Sequence, residues 1–99
     1  MPTLTLDADL EPLIPGYLER RQEDIAALQS AISGSDFPVI QNIGHNLKGS
    51  GAGYGFDELT ELGATLEQAG MEGDLVTATK MVGRFEEYLR LLDIHYEVT

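Results

Sequence analysis

Ninety-nine residues, 42% of them hydrophobic, suffice for one small core and are too apolar a mix for a disordered chain, so a single domain spanning residues 1–99 is expected. A net charge of -11 argues against a nucleic-acid partner, which would call for an excess of lysine and arginine. The lack of cysteine excludes disulfides and thiolate zinc sites, and no stretch has the character of a signal peptide or a membrane span, so the default expectation is a cytoplasmic monomer without membrane contact.

Taken in chain order, four segments carry apolar residues at helical spacing, and none alternates convincingly as a strand does. The first runs to about Ile32, with Ile14, Leu18, Ile25, Leu28 and Ile32 on one stripe; Pro12 and Pro15 suggest a short helix ahead of it. The second follows Asp36, an N-cap with Pro38 just inside, and buries Ile40, Ile43 and Leu47. Asp57 is read as the cap of the third, which turns Leu59, Leu62 and Leu66 inward until Gly70. Asp74 is read as the cap of the last, whose stripe Ala78, Val82, Phe85, Leu89, Leu92, Tyr96 keeps heptad spacing. The joints SGSD, GYGFD and GMEGD each pair a helix-ending glycine with a helix-starting aspartate. Short joints predict an all-α, antiparallel up-and-down four-helix bundle with a short extra N-terminal helix.

Within this frame, His45 to Gly55 reads HNLKGSGAGYG, which invites a phosphate-loop reading. The register refutes it: a phosphate loop places lysine after its last glycine, whereas Lys48 precedes Gly49, and a dinucleotide loop would need glycine where Tyr54 stands. As a helix, at about 100° per residue, Ile40, Ile43, Leu47 and Tyr54 fall within roughly 60° of one direction. Gln41, His45, Lys48, Gly49 and Ala52 cluster on the outer side, with Lys48 one turn from His45 and Gly49 leaving bare backbone beside the imidazole. Gly44 and Gly51 point nearer the core, where small residues let a neighbouring helix approach. If the chain reverses around Phe56, His45 lies opposite Glu67 and Lys48 opposite Ala64. The Glu67 carboxylate would then accept from one ring nitrogen and leave the other as a nucleophile, with Gly63 giving the ring room. All 17 acidic residues lie outside Phe37 to Phe56, a window whose one formal charge is Lys48, so this face suits an anion or an acidic partner.

The pattern His45, Leu47, Lys48, Gly49, Ser50 and Gly55, followed by Leu59, Leu62 and the pair Leu66-Glu67, resembles the histidine-containing phosphotransfer (HPt) domain of two-component phosphorelays. It departs from the usual pattern at Gly51, Gly53 and Tyr54. The resemblance implies that His45 accepts a phosphoryl group on its distal ring nitrogen from a receiver-domain phosphoaspartate, or from a sensor histidine kinase, and passes it to another receiver. It implies that Lys48 steadies the phosphoryl charge, Gly49 keeps the approach clear and Glu67 orients the imidazole. The receiver would supply the aspartates and magnesium, so the domain is expected to be a phosphocarrier rather than an enzyme, with no cofactor of its own. Docking is expected around Gly49 and Ala52, with Gln41 near phosphate or partner.

Blander readings stand beside these. An isolated exposed histidine on an acidic protein is an ordinary solvated residue, and only the surrounding pattern lifts His45 above that. Ser50 points off the His45 face and is expected to make a local backbone hydrogen bond. His95, with no lysine-glycine neighbourhood, reads as a terminal-helix residue. Two distant histidines and loosely spaced carboxylates do not make a metal site. The alternative class is a helical module that binds a receiver or kinase without carrying phosphate, but such a module has no need of His45 beside Lys48 and a bare Gly49.

Overall fold

The structure, a computed structural model, describes residues 3–98. A strand β1 (Thr3–Asp7) and a 3-10 helix (Ala8–Leu13) precede helices α1 (Ile14–Ser33), α2 (Phe37–Tyr54), α3 (Asp57–Glu72) and α4 (Leu75–Leu91), and a strand β2 (Asp93–Glu97) follows. The fold is all-α in its core, as the periodicity implies.

The helix boundaries follow local chemistry, with three departures from expectation. Asp36 Oδ1 accepts from Val39 N at 3.4 Å and Asp74 Oδ1 from Thr77 N at 3.0 Å, so both aspartates cap as predicted. Asp57 does not: the cap position is Phe56, and Asp57 is the first residue of α3, where its charge meets the positive end of the helix dipole. Gly70 does not end α3 either. The chain turns at Gly73, with φ 69°, because Gly70 sits inside the helix against the backbone of Gln41. In the first joint the left-handed residue is Ser35, φ 52°, while Gly34 keeps an ordinary negative φ.

The strands were not foreseen. The last helix stops at Leu91, Leu92 turns extended, and Asp93–Glu97 pairs in parallel with Thr3–Asp7, from Thr3 opposite Asp93 to Asp7 opposite Glu97. Tyr96 and His95 therefore belong to a strand. Leu4 and Leu6 lean on the core from β1, as Ile94 and Tyr96 do from β2.

Tyr17, Leu28, Ile40, Leu47, Phe56, Leu59, Leu66 and Phe85 are the largest fully buried side chains. Phe56, in the joint between α2 and α3, stacks on Tyr17 with centroids 5.1 Å apart, and Tyr54 leans on the same ring at 4.5 Å. The α2 and α3 backbones come closer than any side chain would allow. A methyl on Gly44 would strike the backbone of Glu67, and one on Gly63 would strike that of Lys48. Gln41 lies against Gly70 and Gly51 against Thr60, so the two helices run past each other in opposite directions.

Candidate functional site

The glycine-lined crossing carries the site. His45 projects from the middle of α2 and is 64% exposed, and its Nδ1 lies 2.9 Å from Oε2 of Glu67 on α3. Lys48, one turn on, donates from Nζ to the other oxygen, Oε1, at 2.7 Å. One carboxylate thus holds both groups. Glu67 is only one-fifth exposed, and the Lys48 hydrogen bond first, then that of His45, lower its pKa below the ordinary 4.5. Ionised at neutral pH, it can only accept, so Nδ1 carries the ring proton. In the neutral ring Nε2 then keeps its lone pair, and it has no protein partner among the described residues.

His45 therefore meets Glu67 as the reversal of the chain suggested, but the register is shifted by one for its neighbour. Lys48 lies against Gly63 instead of Ala64, because the turn is centred between Gly55, left-handed at φ 84°, and Phe56. Gly63 consequently makes room for the Lys48 backbone and not for the imidazole. The Lys48 charge, read from sequence as the one charge of a neutral window, is engaged by Glu67. Gly49 has nothing within 4 Å of where a side chain would begin, and Ala52 is exposed. Gln41, half-buried, joins Pro38, Asn42, His45 and Glu67 around a shallow groove at the imidazole. Asn42 and Pro38 were not singled out, although both fall one and two turns before His45 on its own face.

Ser50 faces the opposite way. It makes the expected local bond, to Leu47 O at 3.4 Å, and also accepts from Arg21 Nη1 at 2.9 Å and meets Tyr17 OH at 3.2 Å. Arg21 stacks 4.4 Å over the Tyr17 ring and approaches Asp24 at 2.8 Å, while burial raises the Asp24 pKa against the pull of that arginine. This network ties α1 to α2. Its partners are too far apart in sequence for local spacing to reveal them.

The described residues contain no group of three His, Asp or Glu side chains able to hold a metal, and no helix among them is long and apolar enough to cross a membrane. The profile of the Hpt domain matches residues 13–94. The chain belongs to the Hpt family. No curated protein and no solved structure matches it. Hpt domains are phosphocarrier modules, not enzymes, and serve two-component signalling through contacts with receiver domains and kinases. In this Hpt domain the matched region contains both helices of the glycine crossing and the whole His45–Glu67–Lys48 group.

Proposed function

We propose that this Hpt domain carries a phosphoryl group on Nε2 of His45, taking it from the phosphoaspartate of a receiver domain or from a sensor kinase and handing it to another receiver. The observation that supports the reading best is the shared Glu67 carboxylate, which holds the Nδ1 side of the exposed ring and leaves Nε2 without a protein partner among the described residues. In the transfer the Nε2 lone pair attacks phosphorus, a P–N bond forms, and the P–O bond to the aspartate breaks, returning the receiver's carboxylate. The ring becomes cationic, and Glu67, already bonded to Nδ1–H, balances that charge. The reverse sequence unloads the group onto the next aspartate.

Lys48, which gives one of its three N–H donors to Glu67, is the nearby cation for the incoming phosphoryl oxygens, and the ordinary strength of an exposed ion pair, about 0.2–1 kcal/mol, suits a group that must leave again. Gly49 and Ala52 provide an unobstructed docking face, and Gln41 borders the groove beside the imidazole. In-line attack needs the partner's acidic pocket to come down over the histidine, so bare backbone at Gly49 has a direct use. The partner brings the magnesium and the aspartates.

The test is transfer from receiver domains loaded with acetyl phosphate to the wild-type chain and to His45→Gln. Acid-labile label on the wild type alone is the expected result. Label on both would move the phosphoacceptor to His95, and label on neither across a panel of receivers would refute the carrier role.

A further inference from the structure

A second surface lies between α3 and α4. Its floor is apolar, made by the nearly buried Leu62, Met81 and Tyr88 and the half-buried Leu91, and it is an open groove of about 430 Å³. Around it stand three exposed glutamates, Glu58, Glu61 and Glu87, against a single cation, Arg84. Glu87 makes only a long 3.8 Å contact with Arg90, and the carboxylates of Glu58 and Glu61 have no partner among the described residues. Burial, then the field of Glu58, pushes the Tyr88 phenol up to about 12, so it remains a neutral hydroxyl beside these acids.

The groove is separate from the histidine. At about 100° per residue, Glu67 points roughly 180° away from the mean direction of Glu58, Glu61, Leu62 and Thr65 on α3. One side of α3 serves His45 and the other walls the groove. Along α4 the groove extends from Met81 to Leu91, about 15 Å at 1.5 Å per residue, the length of two to three helical turns.

We propose that this groove docks a basic amphipathic helix of a partner protein, its apolar face on Leu62, Met81, Tyr88 and Leu91 and its lysines or arginines over Glu58, Glu61 and Glu87. Charge complementarity selects the occupant. A second copy of this chain brings another -11, and nucleic acid or an anionic membrane is repelled by the same carboxylates. Anchors spaced along one helical face fill such a groove, and paired charges at its rim fix orientation. Docking here does not depend on the phosphocarrier reading. Where that reading holds, a partner tethered at α3 and α4 leaves the His45 face open and raises the local concentration of whatever receiver it carries.

The test uses the full chain and a fluorescein-labelled peptide of about 14 residues, with leucines on one helical face and lysines on the other, against a scrambled peptide of the same composition. At about 150 mM salt the patterned peptide should bind at least about five-fold tighter than the scrambled one. Glu58→Lys with Glu61→Lys should abolish that preference. Glu19→Lys with Glu23→Lys, on exposed positions of α1, alters net charge equally and should leave it intact. Equal binding of the two peptides, or equal loss in the two charge-reversed variants, would overturn the proposal by reducing the effect to general acidity. Backbone amide shifts on titration should concentrate in α3 and α4 on the groove side, and shifts confined to other helices would overturn it as well.

Discussion

Gly63→Ala tests whether the close approach of α2 and α3 is what the glycines are for. The added methyl would meet the backbone N and Cα of Lys48 and the carbonyl of Gly44, and backbone cannot rotate away as a flexible side chain does. Overpacking of this kind costs about 1–3 kcal/mol, and contact with main chain places this case near the top of that range. Alanine returns about 1 kcal/mol in helix propensity, so the net loss should be about 2 kcal/mol. In a domain of this size that lowers Tm by about 8–16 °C. The relief must come from separation of the two helices, which also draws Glu67 away from His45 and Lys48. Urea titration gives the stability, and the His45 side-chain resonances report the bond to Glu67. Gly44→Ala should behave alike, and the double variant should lose less than the sum, since the crossing opens only once. A Gly63→Ala chain as stable as wild type, with the imidazole signals unmoved, would refute the reasoning.

Two further predictions concern the site. Because Lys48 and His45 depress the Glu67 pKa below 4.5, the ionised carboxylate favours the folded state fully above that value, and the advantage is lost as pH falls through the folded pKa. Wild type should therefore exceed Glu67→Gln in urea stability at neutral pH, the margin narrowing as the solution is acidified below 4.5; a margin that does not narrow there would remove the charge from the account. Gly49 and Gly83 are both open, so leucine at either should leave stability unchanged or raise it by up to about 1 kcal/mol. Only Gly49→Leu should slow phosphoryl transfer, by about ten-fold or more, measured as initial rate from a loaded receiver.

The helices were legible because each keeps a 3.6-residue period over more than four turns and two of them begin at a capping aspartate. The strands were not, and the reason is specific. Leu92 and Tyr96 are four residues apart, a spacing that falls on one face both of a helix and of a strand, so the stripe of α4 continues without a break into β2. Ile94 distinguishes the two, since it faces the core only in a strand, as Leu4 and Leu6 do in β1. Neither five-residue segment is convincing alone; their pairing across the whole length of the chain makes them strands. The His45–Glu67 contact was within reach because a tight reversal fixes the facing register to within one residue. The Arg21–Ser50–Tyr17 network had no such constraint, as its members are joined only by the packing of α1 on α2.

Viewed by propensity alone, the α2 and α3 segments are poor helices, with Gly44, Gly49, Gly51, Gly53, Gly63 and Gly70 all in helical positions. Each lowers helix stability by about 0.5–1 kcal/mol relative to alanine. The structure divides them by use. Gly44, Gly51, Gly63 and Gly70 lie at the crossing, where a Cβ would collide with the opposing helix, and Gly49 and Gly53 lie in the open. The crossing glycines reduce the separation of the two backbones, and only at that short separation does a glutamate from α3 reach a histidine and a lysine one turn apart on α2. A longer separation would leave the Lys48 ammonium to solvent and the imidazole free to exchange tautomers. The local weakness of these helices and the fixed placing of the imidazole thus have the same cause, and the open Gly49 adds access without adding to the packing.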